Sequence, residues 1–422
     1  MKTLVPLRLV GIGCGARTRT YLTIAARLPH LYRIEGAADP IGGRVARVRE
    51  ACGSPEHFRS FAGWRELLAA ERFADVAVIG TQDSDHKAAC LAAMEKGYDI
   101  LLEKPIAPNL EDTLLIERRA AELGRKVLIC HVLRYTPFYR KVKEIIASGA
   151  IGEIVSLNAM EGVIPWHQAH SYVRGHWAVT EKASPMILGK CCHDLDIIAW
   201  LFERPCRCLS SYGGLSHFTK DHAPAGAPPR CTDGCPVGAS CQYNASLYAT
   251  VHRTWLDLVM DGAADATEAE VLDWLRGSPW GRCVYRCDNT AVDHQVVAME
   301  FAGGGTATFT MTAFEYGRQI EVFGTRGVLR GGENVLAATG SDIVVRLHGN
   351  NEIQQVRVAS LAGGYQGHGG GDAGLVLALH EEMRKPSSEA MSTSLAASVR
   401  SHAMAFAAEA SRLNGEAVNV GR

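Results

Sequence analysis

A glycine cluster set between two different hydrophobic patterns restricts the fold of this chain more than any other feature. Leu7-Arg8-Leu9-Val10 is an apolar run of strand length, and Gly11-Ile12-Gly13-Cys14-Gly15-Ala16 follows it directly. Beyond the cluster, Tyr21, Leu22, Ile24, Ala25 and Leu28 recur at helical spacing. A G-x-G-x-x-A between a strand and a helix predicts the phosphate-binding turn of a dinucleotide fold. Gly11 permits the tight turn, Gly13 lets a pyrophosphate approach the backbone, and Ala16 keeps the helix close to the strand. The helix N-terminus then offers free N–H groups and the positive end of its dipole to the phosphates.

A second strand, Arg33-Ile34-Glu35-Gly36-Ala37-Ala38, ends at Asp39. A carboxylate at that offset hydrogen-bonds the adenosine ribose diol and repels a 2′-phosphate, which predicts NAD rather than NADP. Arg44 stands close enough in sequence to soften that preference. Strands and helices then alternate: a strand at Asp75-Val76-Ala77-Val78-Ile79, a helix from Ser84 to Lys96, a strand at Asp99-Ile100-Leu101-Leu102, a helix from Leu110 to Leu123, a strand at Val127-Leu128-Ile129. This rhythm predicts an α/β, doubly wound parallel sheet of the Rossmann type, with ligands beyond the carboxyl ends of the strands. The loops at those ends carry Thr81 and His86, Glu103 and Lys104, and His131 with Arg134 and Tyr135.

With 422 residues, 47% of them hydrophobic, the chain is too long for one ordinary core. The pattern changes from about Ile151, and the chain is expected to divide into a dinucleotide-binding domain over 1–130 and a second domain over 131–422. There, Ile154 to Met160 alternates as a strand. Val296 to Phe301 and Thr306 to Thr312 read as a hairpin around a glycine turn, and Ile320 to Phe323 as a further strand. These predict an α+β domain with a large, open, mainly antiparallel sheet. Charge is balanced, 44 Lys+Arg against 45 Asp+Glu, so neither nucleic acid nor an anionic membrane is an expected partner. No apolar run has the length of a membrane helix, and the N-terminal stretch Met1 to Val10 lacks the core of an export signal. A cytoplasmic location and reduced cysteines are the expectation.

The main chemical constellation is Ser184-Pro185-Met186-Ile187-Leu188-Gly189-Lys190-Cys191-Cys192-His193-Asp194. On one helix, Lys190, His193 and Asp194 share a face. His193 suits a general base or acid, and Asp194 would orient it or a substrate hydroxyl. Trp166, His167, His170 and Arg174 form an aromatic, histidine and arginine run suited to a polyhydroxylated ligand. His368, with Asp372 behind it, follows from a glycine-rich stretch that permits close backbone approach.

Glu103-Lys104-Pro105 after a strand, Gly80-Thr81-Gln82-Asp83-Ser84-Asp85-His86, Gly149-Ala150-Ile151-Gly152-Glu153 and His193-Asp194-Leu195-Asp196 together resemble the Gfo/Idh/MocA oxidoreductase family over essentially the whole chain. The resemblance implies a role for Lys104 beside the nicotinamide and the substrate hydroxyl. There its ammonium would stabilise charge developing on the oxygen. The chain departs from the common pattern at Gly189, where many members carry an acid four residues before the histidine. Lys190 adds a second cation instead.

Residues 205–287 read as an insertion rich in cysteine. Cys231, Cys235 and Cys241 are spaced for a structural zinc site, with a fourth thiol from Cys208, Cys283 or Cys287; unliganded thiols are the other reading. Thr267 and Glu270 form a capping box that opens a helix. The functional expectation is NAD-dependent hydride transfer at a hydroxyl carbon of a sugar, polyol or glycoside, by a homo-oligomer (dimer or tetramer). The alternative is a glycoside hydrolase that oxidises, eliminates, adds water and re-reduces with its own NAD. A cofactor-binding regulator without catalysis is disfavoured by the presence of both Lys104 and His193.

Overall fold

The computed structural model describes residues 5–359, 367–386 and 388–421, so the first four residues of the N-terminal stretch lie outside it. Six strands form a parallel sheet: β1 (Leu7–Ile12), β2 (Tyr32–Ala38), β3 (Arg59–Phe61), β4 (Val76–Ile79), β5 (Asp99–Leu102) and β6 (Val127–Ile129), in the order β3-β2-β1-β4-β5-β6. Its central strands are apolar throughout because helices cover both faces; all four residues of β4 are buried. The order reverses between β1 and β4, which opens a crevice beyond their carboxyl ends.

The helices of this sheet follow the sequence closely. Leu110–Leu123 is capped by Asn109, whose side chain accepts from the N–H of Asp112, and ends at Gly124 in the left-handed region. One contribution comes from far along the chain. Leu375, Val376, Leu379 and Met383 of the helix Gly371–Arg384 share a core with Leu9, Val76, Leu101 and Leu128. The chain therefore returns to the first sheet after building the second, and this return delivers His368 to the crevice.

The second sheet has nine strands: β7 (Ile154–Val163), β8 (Cys206–Gly214), β9 (His294–Phe301), β10 (Thr306–Thr312), β11 (Tyr316–Gly324), β12 (Gly327–Gly332), β13 (Ile343–Leu347), β14 (Ile353–Val356) and β15 (Val418–Asn419), in the order β14-β13-β12-β11-β7-β10-β9-β8-β15. Only the β10–β7 pairing is parallel. Residues alternate strictly between core and solvent along β9. The inner face packs Leu157, Phe301, Phe309 and Val322 against Leu195 and Ile198 of the helix Cys192–Phe202 and Met404 of the helix Leu395–Asn414.

Three sequence expectations change here. The constellation around Lys190 is not one helix. A single turn, Met186–Gly189, stops at Lys190, and a second helix starts at Cys192. The break frees Lys190 from the helix face and lets its ammonium reach Glu161 on β7 at 3.0 Å. Second, Cys206 and Cys208 belong to β8 of the sheet, so the added stretch fills the connection between the paired strands β8 and β9. Third, the expected zinc site is not formed. Among the described residues no group of three or more His, Cys, Asp or Glu is disposed to hold a metal ion, and Cys231, Cys235 and Cys241 are free thiols. The insertion is held by its own small core, Tyr248, Leu256, Val271, Leu275 and Trp280 packed with Trp166. Its helix Glu268–Gly277 begins with the predicted capping box.

Candidate active site

Beyond the ends of β1 and β4 lies a cleft of about 430 Å³, lined by the glycine loop, the loops after β4 and β5, the Lys190 region and the insertion. At its cofactor end the geometry is set by backbone. Gly13 has φ +79°, and a Cβ placed there would lie 2.7 Å from the carbonyl oxygen of Gly80. At Gly11 a Cβ would press on Leu22 at 2.8 Å, so the strand and helix meet there only without a side chain. Gly15 caps the helix Ala16–Ala26 with no side-chain hydrogen bond, and a Cβ on it would meet no atom closer than 4.0 Å. The first N–H groups of that helix thus face an open cradle, which fits a dinucleotide pyrophosphate. Asp39 is buried and its carboxylate accepts from Cys14 N at 2.7 Å and Ile41 N at 2.8 Å, which holds it at the end of β2. A second, smaller hollow joins Asp39, Arg44 and Thr81 and suits the adenosine end.

Where β5 ends, the peptide bond between Lys104 and Pro105 is cis. Glu103 is buried at the edge of the cleft. Its carboxylate takes Arg17 Nε at 2.9 Å, the Tyr21 hydroxyl at 2.6 Å and the Lys104 N–H at 2.9 Å. Burial opposes its charge, but Arg17 and Lys104 hold its carboxyl below the usual range. Arg17 also grips Asp372 through both nitrogens of its fork, at 3.0 and 2.6 Å. Asp372 in turn contacts His368 Nδ1 at 3.2 Å. One arginine thus fixes the loop of Lys104 and the histidine delivered by the returning helix. The Lys104 ammonium donates to the carbonyl of Gly189 at 2.6 Å, the position where the sequence departs from the common pattern. His86, buried, donates from Nδ1 to Pro105 O at 2.7 Å and steadies the same loop from below.

Opposite stand His193 and Lys190, both lining the cleft. The His193 ring is 6.0 Å from that of His368 and 5.7 Å from that of the buried His131. Burial pushes the His193 imidazolium far below its usual range, and Lys104 adds to the effect, so the ring is neutral. Its Nδ1 has no hydrogen-bond partner among the described residues. Lys190 is paired with Glu161, which faces Arg318 across the β7–β11 ladder at 2.8 Å. Arg318 also holds Asp194 at 2.7 Å. Burial raises the Asp194 carboxyl to about 6, with Glu161 adding to the rise while Arg318 opposes it. Two cations and two carboxylates therefore alternate through one buried network.

The cleft brings together Ala16 of the fingerprint, Arg44, Thr81, His86, Glu103, Lys104, Lys190, His193, His167, His170 and His368, while Gly13 and Asp39 line the adjoining hollow. Other candidates stand elsewhere. The Asp194 carboxylate accepts from Arg318. Arg134 is buried in a bidentate pair with Asp196 at 2.6 Å and borders a separate hollow of about 740 Å³ behind the Cys192–Phe202 helix, away from the fingerprint. Tyr135 is buried against Thr393 at 3.1 Å. Trp166 packs on His252 and Tyr248, and Arg174 donates to the carbonyls of Arg282 at 2.8 Å and Tyr243 at 2.6 Å. These two hold the insertion to the domain, and neither lines the cleft. Sequence reasoning missed Arg17, Glu161 and Arg318. The last two carried a signal: charged residues at inward positions of strands that otherwise alternate. Arg17 directly follows the fingerprint alanine.

The N-terminal part, residues 7–131, matches the family model described as "Oxidoreductase family, NAD-binding Rossmann fold", and residues 139–330 match the "GFO/IDH/MocA C-terminal domain". The oxidoreductase YteT of Bacillus subtilis is 23% identical over 76% of this chain and 76% of its own length. Inositol 2-dehydrogenase 2 of Saccharopolyspora erythraea is 27% identical over 45% of this chain and 52% of its own, so the match spans about half of that relative. Among solved structures, an oxidoreductase from Agrobacterium radiobacter in complex with NAD+, L-tartaric acid and magnesium superposes with a TM-score of 0.70, at 16% identity, over 99% of both chains. The WlbA dehydrogenase from Bordetella pertussis, in complex with NADH and UDP-GlcNAcA, gives 0.67 at 16% identity, over 99% of this chain and 100% of its own. At these identities the structural likeness shows the fold.

Proposed function

This chain belongs to the Gfo/Idh/MocA family and is an NAD(P)-dependent oxidoreductase acting on CH–OH groups; from that premise we propose that it moves a hydride between nicotinamide and a hydroxyl-bearing carbon of a sugar, polyol or glycoside. The observation that carries the reading is the pairing across one cleft of a fixed ammonium, Lys104, with a neutral, incompletely bonded imidazole, His193.

NAD, held by the Gly11–Ala16 turn and Asp39, supplies the hydride acceptor when bound. The residues of the chain do the rest. His193, lining the cleft across from Lys104 with its ring neutral, takes the hydroxyl proton as the C–H bond breaks. The Lys104 ammonium, aimed by the Gly189 carbonyl on a backbone that Glu103 holds, donates to the oxygen as it gains charge. Lys190 lies in the same wall, neutralised by Glu161, and offers a second donor to a neighbouring hydroxyl. His368, whose Nδ1 donates to Asp372, itself gripped by Arg17, closes the far side. The carboxylate of Asp39 favours NAD over NADP.

The cytoplasm and a homo-oligomeric state complete the reading. No helix among the described residues is long and apolar enough to cross a membrane. The outer face of the open sheet exposes Tyr212 and Val296 on adjacent strands, which suits contact between copies.

The test is to incubate the protein with NAD and a panel of free sugars, polyols and aryl glycosides, following 340 nm absorbance and aglycone release together. Steady NADH formation is expected. Aglycone release that depends on NAD but leaves no net NADH would replace this reading with redox-neutral glycoside cleavage.

A further inference from the structure

The substrate end of the cleft has two chemically different walls. One carries Lys104, Lys190, His193, Arg318 and His368. The other is aromatic, and much of it comes from the insertion. Trp255 lies on the short helix Arg253–Leu258 and lines the cleft. Its ring stands 5.1 Å from His167 and 5.1 Å from His170. Trp280, also from the insertion, lines the same cleft 5.9 Å from His170 and 5.4 Å from His176. Trp280 is more than nine-tenths buried, and its indole N–H has no partner among the described residues.

This wall is held firmly. Leu256, the neighbour of Trp255, is fully buried in the insertion's core. Arg253 donates to the carbonyl of Ala263 at 2.8 Å and also to that of Ala266. The Tyr248 hydroxyl contacts His170 Nδ1 at 2.6 Å, and His252 stacks on Trp166 with 3.7 Å between ring centres. At the far rim, Asp261 meets Arg47 of the first domain at 2.9 Å. Indole faces match the C–H faces of pyranose rings, while neutral imidazoles serve ring hydroxyls. A single ring held between Lys104 and His193 already uses the charged wall. The aromatic wall then needs an occupant of its own.

We propose that the insertion builds a second-ring subsite, in which Trp255 stacks on a further sugar ring joined to the one being oxidised. The substrate class is accordingly a glycoside of two or more rings. This rests on the dehydrogenase reading above and names its substrate class.

The experiment compares maltose, cellobiose and lactose with glucose and galactose, in the wild type, Trp255→Ala and Trp255→Phe. Oxidation is followed at 340 nm with NAD, and binding by calorimetry on the NADH-loaded protein. The wild type should prefer a disaccharide over its component monosaccharide. Trp255→Ala should lower that ratio of kcat/KM roughly tenfold, chiefly through KM, as expected for a lost stacking contact. Trp255→Phe, which keeps a ring, should retain most of it. No disaccharide preference in the wild type, equal losses on one-ring and two-ring sugars, or neither binding nor oxidation of any disaccharide would overturn the proposal. Disaccharide binding that weakens in Trp255→Ala, without oxidation of any sugar by the wild type, would uphold the subsite and refute the dehydrogenase reading instead.

Discussion

The two ends of the cleft are built by different means. At the cofactor end a short, contiguous stretch does most of the shaping, and it does so with backbone: a positive φ at Gly13, an open helix start after Gly15, a carboxylate held by two N–H groups at Asp39. At the substrate end the working groups come from five separate stretches, around Lys104, Glu161, Lys190, Arg318 and His368. Side-chain ion pairs across long sequence distances, Arg17 with Glu103 and Asp372 and Glu161 with Lys190 and Arg318, hold most of them. A backbone site tolerates changes in most side chains and fails when a Cβ is added. A side-chain network fails when one charge is removed, because the partner stays buried without compensation.

That contrast can be broken most sharply at Lys104. Lys104→Met should lower kcat by about 10³, within the range for losing a group that stabilises charge or moves protons in the transition state. NAD affinity should change by less than about threefold, because the fingerprint does not depend on the ammonium. Calorimetric NAD titration beside steady-state kinetics checks both; a parallel loss of NAD binding would show that the two ends are not separable.

The reciprocal change is Gly13→Val. The new side chain meets the Gly80 carbonyl at a position where φ is +79°. NAD affinity should fall about a hundredfold, an effect of about 3 kcal/mol. The network of Lys190, Glu161, Arg318 and Asp194 lies on other elements and should keep its contribution to stability. If binding falls less than tenfold, close backbone approach is not what holds the dinucleotide.

A third variant probes the network itself. Arg318→Met removes the cation shared by Glu161 and Asp194 and should cost about 3 kcal/mol of unfolding free energy in denaturant titration. Arg318→Met with Asp194→Asn should recover part of that loss, since one buried carboxylate is then neutral. Additive losses would mean that the pairs act independently.

The same division explains what the sequence disclosed. Five strands of the first sheet were legible in the sequence, along with the helices after β1, β4 and β5, because their apolar residues keep a clear period; the short β3 (Arg59–Phe61) and the helices Gly42–Ala51 and Trp64–Ala69 beside it were not. The β9–β10 hairpin was legible for the same reason. Lys104 drew attention at a strand end, His368 beside glycines, and His193 in a run with Lys190 and Asp194. Arg17, Glu161 and Arg318 did not, because each gains meaning only from a partner far away in sequence. Arg134 and Arg174 misled in the opposite direction. Both sit in runs that look like ligand contacts, and both spend their guanidinium on structure, Arg134 on Asp196 and Arg174 on carbonyls of the insertion. The thiols of 231–241 gave a spacing but no geometry, and the loop folds on apolar contacts instead.

The smallest expected effect concerns pH, and it belongs to the substrate end. Burial pushes His131 down to about 4, and His170 and His402 down to about 3. Each is therefore neutral in the folded protein well below the pH at which an unfolded histidine, with its value near 6.5, takes a proton. Between those limits the unfolded state binds more protons, so stability rises with pH there. It is flat above about pH 7 and is lost as pH falls through about 6.5. Each such histidine costs up to about 1.4 kcal/mol per pH unit once the unfolded form is fully charged. His402 is the one to remove, because it accepts the Ile106 N–H at 3.0 Å just beyond the Lys104 loop. His402→Asn should be less stable than the wild type at pH 7, yet lose about 1 kcal/mol less between pH 6.5 and 5.5. Unfolding free energies at the two pH values decide it. An unchanged pH slope would mean that His402 takes up its proton in the folded state, and that the floor beneath Lys104 is wetter than its burial implies.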